Sequence, residues 1–265
     1  MVQLSKRLQA VADFVDNCGI LADVGTDHGY IPVCLVEWGK ARRAIAMDVN
    51  QGPLLRAEEH IRRYGMGKRI ETRLSDGCSA LKPGEADVIV ISGMGGGLMM
   101  EILRQGEQVV RTAESLVLQP QSELMAFREF LYENGYEIKA ETMVQEDGKY
   151  YPVIKARTAA SAGMSEESTT AGREPYLPAN LPGHISEEQY ARIAFRYGPM
   201  LLAQNHPVLR EYLLNQKEQK EKILLHLREN ARQNARGRME EVQQELEDVR
   251  KALEWFECPE ERRII

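Results

Sequence analysis

The feature that most constrains this chain is one turn, Asp23-Val24-Gly25-Thr26-Asp27-His28-Gly29-Tyr30. It follows Ile20-Leu21-Ala22-Asp23-Val24, which reads as a short buried strand, and it opens a helix. Gly25 lets the backbone turn sharply, and Gly29 permits close helix packing or close approach of a ligand. The strand-then-helix alternation recurs. Ala44–Met47, Ile70–Leu74, Val88–Ile91 and Leu116–Leu118 are further strand-like runs, with helices predicted over 51–64 and 122–134. In the second helix Leu124, Phe127, Leu131 and Tyr132 recur at helical spacing. Such alternation predicts a parallel sheet covered on both faces. Asn134-Gly135 then stops a helix, and two runs, 136–145 and 149–157, flank Glu146-Asp147-Gly148, which predicts a hairpin. The expected fold class is α/β: five parallel strands plus an antiparallel hairpin.

Residues 158–183 change character, with Thr, Ala, Ser, Gly and Pro dominant. Beyond them the chain reads as helical. Met239, Val242, Leu246, Val249, Leu253 and Phe256 form a heptad seam, and Leu209, Leu213, Ile223, Leu227 and Ala231 a partner stripe interrupted by Gln216 and Lys220. With Asn234-Ala235-Arg236-Gly237 between them, the pattern predicts an antiparallel coiled-coil hairpin, an ordinary helical bundle being the alternative. The expected division is 1–158 for the α/β domain, 159–183 for a linker or loop, and 184–265 for the helical domain.

Thirty-four basic and forty acidic residues give a net charge of −6, so nucleic-acid contact must come from local patches. No apolar run is long enough to span a membrane, and no secretory signal opens the chain. Four cysteines without a C-x-x-C pair and five dispersed histidines point to no zinc site or disulfide framework. The expectation is a cytoplasmic monomer without a metal.

The chemistry concentrates where strands end. Asp23 closes the first strand, Asp48 closes the second 25 positions later, where a carboxylate grips a ribose diol, and Val49 follows it. The third ends in Ser75-Asp76-Gly77, suited to accept from an adenine amino group, although a plain turn reads as well there. The fourth runs into Gly93-Met94-Gly95-Gly96-Gly97, exposing backbone to something flat, or else forming a flexible turn; the fifth ends at Gln119. A dinucleotide needs an unobstructed glycine where its pyrophosphate meets the helix N-terminus. Asp27 sits near that place and would repel a diphosphate. An ammonium and a sulfonium tolerate carboxylates at both Asp23 and Asp27, which favours S-adenosylmethionine.

These features resemble the Rossmann-fold S-adenosylmethionine-dependent methyltransferases. Asp23–Pro32, Ser92–Gly96 and Glu146–Tyr151 are similar, more narrowly, to the bacterial tRNA adenine-22 N1-methyltransferase family, as are Leu4-Ser5-Lys6-Arg7-Leu8 and Tyr197-Gly198-Pro199. The resemblance covers nearly the whole chain and implies methyl transfer to N1 of an adenine in tRNA, with a C-terminal coiled-coil domain. It places Asp23, Gly25, Gly29, Asp48, Val49, Ser75, Asp76, Gly77, Gly93 and Met94 at the cofactor. The amino-methylating Asn/Asp-Pro-Pro-aromatic loop is missing after strand four, which suits a ring nitrogen with an in-plane lone pair.

N1 methylation makes adenine cationic, so a carboxylate beside it stabilises the transition state. Asp27 is the first catalytic candidate, and His28 the second as proton acceptor or orienter. Tyr30 or Tyr150 can stack on an extruded base. Arg7, Gly95, Gly96, Gln119, Tyr150, Arg232 and Arg236 are the expected substrate contacts. The basic patches are Lys222, Arg228, Arg232, Arg236 and Arg238; then Arg62, Arg63, Lys68, Arg69 and Arg73; then Lys6 and Arg7. The alternatives are a methyltransferase for a small molecule or protein with the helical arm as a docking module, and a non-catalytic module that keeps cofactor binding.

Overall fold

A computed structural model describes residues 3–158, 185–229 and 235–257. The chain divides into two compact units, Met1–Arg173 and Glu174–Ile265.

The first unit runs α1 (Lys6–Phe14), β1 (Cys18–Val24), α2 (Tyr30–Glu37), β2 (Ala41–Asp48), α3 (Gln51–Arg63), β3 (Ile70–Leu74), β4 (Val88–Met94), α4 (Gly96–Gln105), α5 (Glu107–Val110), β5 (Ser115–Pro120), α6 (Leu124–Glu133), β6 (Tyr136–Glu146) and β7 (Lys149–Thr158). Seven strands form one sheet in the order β3-β2-β1-β4-β5-β7-β6. The first five are parallel, and β7 inserts antiparallel beside β5. The expected layout is the observed one. The β6–β7 turn has Asp147 at φ 50° and Gly148 at φ 73°, the paired left-handed geometry that matches strand twist in a tight hairpin.

Alternate residues of each strand feed two cores. Leu21, Ala44, Ala46, Val88, Val90, Val117 and Val153 pack with α1, α2 and α3, while α4 and α6 pack together and α6 lies on β6. Burial on both faces explains why the parallel strands read as short unbroken apolar runs. It also sets the site. With Leu21 and Val117 facing α1 and α2, strand alternation sends Asp23 and Gln119 to the same face at the carboxyl edge. A buried ion pair, Arg128 Nε to Glu141 Oε1 at 2.7 Å, joins α6 to β6 on the other side.

The second unit holds α7 (Glu187–Tyr197), α8 (Pro199–Ala203), α9 (Pro207–Glu229) and α10 (Ala235–Glu257). Ser186 and Gln189 form a capping box at the start of α7. α9 and α10 run antiparallel: Lys220 pairs with Glu245, Glu221 with Arg250, and Leu224 packs on Val242 and Leu246. Three details differ from expectation. Ala235 and Gly237 lie inside α10, so the turn does not fall on them. On α9 the buried residue is Leu224, with Ile223 at 41% exposure, because the face that carries Gln216 and Lys220 continues to 224 and 227 at helical spacing. Lys220 is tolerated there because Glu245 neutralises it. On α10, Val242, Leu246 and Val249 are buried as expected, but burial then passes to Ala252 and Trp255 rather than Leu253 and Phe256. Trp255 turns toward α7, where its ring meets Tyr190 at 5.0 Å. Arg192 of α7 grips the buried Asp248 through Nη2 at 2.7 Å and Nε at 3.1 Å.

Candidate active site

The carboxyl ends of β1, β2 and β3 are tied by backbone bonds. The N–H groups of Gly25 and Thr26 donate to the Met47 carbonyl at 2.8 and 2.7 Å, and Ser75 N–H donates to the Asp48 carbonyl at 2.9 Å. These bonds set Asp23, Asp48 and the Ser75–Gly77 turn side by side. Gly25 has φ 76° and Gly29 φ 65°, and Met94 from the end of β4 lies over Gly25. The end of the Met94 thioether can swing aside, so the left-handed φ is what demands glycine at 25.

Asp23 is buried, and burial pushes its carboxyl from 3.8 up to about 6; the Thr26 hydroxyl opposes the shift and the charge of Asp48 adds to it. Among the described residues no cation offsets this. A desolvated carboxylate of this kind fits a ligand that brings its own ammonium, and the S-adenosylmethionine headgroup has one. Asp48 is half-buried and accepts the Asn50 N–H at 2.7 Å, leaving its other oxygen for a diol. Ser75 braces its turn from within: its hydroxyl donates to the Gly77 carbonyl at 2.9 Å and accepts Ala80 N–H at 3.1 Å. Asp76 is exposed. Val49 is 58% exposed beside Asp48, an apolar surface at the carboxyl edge. The residues fit the cofactor expected from the sequence.

The turn between β1 and α2 projects outward. Asp27 is 75% exposed, 3.4 Å from His28 Nε2 and 3.8 Å from Arg56 Nη2 on α3. His28 adopts φ 58°, a left-handed conformation that costs a non-glycine residue about 1–2 kcal/mol. Its ring lies 5.5 Å from that of Tyr30. Asp27, His28 and Tyr30 thus form one contiguous group.

The other half of the edge is built on β4, β5 and the hairpin. Gln119 is fully buried, and its Oε1 accepts from Gly93 N–H and from Arg7 Nη1, both at 3.2 Å. The Arg7 guanidinium lies 5.5 Å from the Tyr151 ring centre. Successive strand residues face opposite ways, so Tyr151 and not Tyr150 is the aromatic residue beside Arg7 and Gln119. Tyr150 instead meets Gln145 Nε2 through its hydroxyl at 3.3 Å.

The glycine run has a packing reason. Gly96 is buried, its N–H donates to the Ser122 carbonyl at 3.2 Å, and an added Cβ would stand 2.6 Å from that oxygen. Glu123 accepts the Gly97 N–H at 2.7 Å, neutralising the N-terminus of α4. Gly96 is therefore not a free backbone donor, and the Gly93 N–H is likewise taken, by Gln119 Oε1.

Of the second basic cluster, Arg73 is committed to Glu71 and Glu85, and Arg69 to the Val36 carbonyl and Met66 Sδ. Arg62, Arg63 and Lys68 remain exposed. In the C-terminal patch Lys222 pairs with Glu218 and Arg238 with Glu241, while Arg228 is exposed. Arg232 and the Arg236 side chain lie outside the described residues. Among the described residues no three His, Cys, Asp or Glu groups converge as a metal site, and no helix is long and apolar enough to cross a membrane. Arg56, His60, Glu123 and Tyr151 escaped sequence reasoning, because each acts through a neighbour distant in sequence.

Residues 4–154 match the methyltransferase domain family. The tRNA (adenine(22)-N(1))-methyltransferase of Bacillus subtilis is 41% identical over 168 residues, covering 62% of this chain and 71% of the relative. The solved B. subtilis m1A22 tRNA methyltransferase superposes with a TM-score of 0.75 at 28% identity, covering 96% of this chain and all of that one. The M. capricolum TrmK structure, in complex with S-adenosyl-homocysteine, gives 0.73 at 25% identity and covers 96% of this chain and all of that one.

Proposed function

This chain belongs to the tRNA (adenine-22-N1)-methyltransferase family, and from that premise we propose that it methylates N1 of an adenine in tRNA. The observation that carries the reading is the juxtaposition, on one turn, of the buried anion Asp23 and the exposed group Asp27, His28 and Tyr30. One end of the turn faces the cofactor edge and the other faces incoming substrate.

S-adenosylmethionine, when bound, supplies a methyl group activated by its sulfonium. Asp23 would pair with its ammonium, Asp48 with its ribose diol and Asp76 with its adenine amino group, and Gly25, Gly29, Gly77, Gly93, Met94 and Val49 would shape the cleft around them. At the substrate end, methylation of N1 would leave positive charge on the adenine. Asp27 faces that charge and stabilises it; its exposure lets it reach a base drawn from solvent. His28 orients Asp27 and takes up a proton if the product sheds one from N6. Tyr30 offers a ring for stacking. Arg7, Gln119 and Tyr151 line the far half of the edge and hold the nucleotide.

The tRNA body requires further cations. Arg62, Arg63 and Lys68 in the first unit, and Arg228 with Arg232 and Arg236 in the second, serve phosphates. The protein works as a cytoplasmic monomer, with residues 1–158 as the catalytic domain and 184–265 as the RNA-gripping helical domain.

N1 lies on the Watson–Crick edge, so its methylation blocks reverse transcription. Primer extension on a treated tRNA transcript should stop one nucleotide before the target, and the stop should disappear when that adenine is replaced by guanine. Read-through on wild-type transcript that has taken up methyl groups would sink the N1 assignment.

A further inference from the structure

His60 takes no part in the chemistry above, yet it touches the turn that does. Its Nδ1 lies 3.0 Å from the carbonyl oxygen of His28. A carbonyl has no proton to give, so Nδ1 carries the proton and donates. The imidazole is held on two sides. The Tyr30 and Tyr64 rings each meet it edge-on at 4.8 Å, with interplanar angles of 72° and 80°. It is therefore a fixed donor, mounted on α3 and aimed at one peptide of the β1–α2 turn. That peptide belongs to the residue with the left-handed φ of 58°.

We infer that His60 is a positioning residue for methyl transfer: by holding the His28 carbonyl it sets the direction in which Asp27 and His28 present their side chains to the adenine. The inference rests on the reading of Asp27 and His28 as the groups that face substrate. Burial also lowers the pKa of His60, opposed by the bond to His28 and aided by the charges of Arg63 and His28. The bond survives either protonation state, since Nδ1 donates in both.

The test compares two substitutions of similar size, His60→Leu and His60→Asn. The asparagine amide places a donor close to the position of Nδ1, and leucine places none. The Leu variant should lose about tenfold to a hundredfold in kcat, as expected for a displaced catalytic turn. Its Kd for S-adenosyl-homocysteine should stay within about twofold, because Asp23 is untouched. His60→Asn should recover most of the rate. The backbone amide resonances of Asp27 and His28 should move in the Leu variant and return in the Asn variant. Should the Leu variant fail to fold, His60→Gln, whose donor sits one bond too far out, takes its place. Full kcat without the donor, or equal impairment with and without it, would overturn the inference. If the wild type formed no N1-methyladenosine, the functional reading would fail, and the amide resonances would still report whether His60 holds the turn.

Discussion

Asp23 carries a cost that can be measured. Its carboxyl is out of water and titrates near 6 rather than 3.8. A raised folded-state pKa means that the folded protein binds the proton more tightly than the unfolded chain does. The apoprotein is therefore penalised above pH 6, and the penalty fades as pH falls toward 4. A shift of roughly two units corresponds to about 3 kcal/mol at full ionisation. Asp23→Asn removes the charge while keeping the shape. Urea unfolding of the two proteins at pH 4 and pH 8 should show the difference between them moving by about 3 kcal/mol in favour of Asn as pH rises. Calorimetric titration with S-adenosyl-homocysteine should show the reverse, with Asn weaker by at least about tenfold, or 1.4 kcal/mol. Wild-type affinity for the cofactor should also rise with pH through 6 as the carboxylate ionises. A stability difference unchanged between pH 4 and 8 would mean that Asp23 is not a desolvated anion, and its role as the ammonium partner would lose its basis.

Asp27→Ala should abolish turnover while holding cofactor affinity within about tenfold, because Asp27 is 75% exposed and an exposed charge contributes little to a buried contact; retained turnover removes it from the mechanism. Gly96→Ala should cost about 1–3 kcal/mol in urea unfolding, since the new methyl meets the Ser122 backbone oxygen; an unchanged midpoint would return the glycine run to a ligand role. Charge reversal at Arg232 and Arg236 should weaken tRNA binding and flatten its salt dependence, by about 0.9 in log–log slope for each phosphate that is no longer neutralised. An unchanged slope would place the RNA-binding cations elsewhere.

The sheet was legible because its physics is local. Each parallel strand is buried on both faces, so runs such as Val88–Ile91 carry their own signal, and Asp147-Gly148 announces a turn that needs two left-handed residues. Asp23, Asp48 and Asp76 could be placed on one edge from sequence because each lies at or just past the end of a parallel strand. What escaped was set by tertiary pairing. Nothing in the spacing of His60 or Arg56 says that α3 lies beside the β1–α2 turn. Gly96 reads as a ligand-facing glycine until Ser122 is seen against it. Arg69 and Arg73 read as a phosphate patch until their carbonyl and carboxylate partners are in place. Periodicity in α9 pointed to Ile223, but the adjacent Leu224 completes the stripe through Gln216 and Lys220, because a partnered lysine is admitted to a seam that an unpartnered one would break.

The most direct test of the central claim is to incubate the purified protein with unmodified tRNA and methyl-labelled S-adenosylmethionine, then digest the RNA to nucleosides. Label is expected in N1-methyladenosine with wild-type protein and none with Asp27→Ala. Label in another nucleoside, or no label from a protein that still binds S-adenosyl-homocysteine, would contradict it.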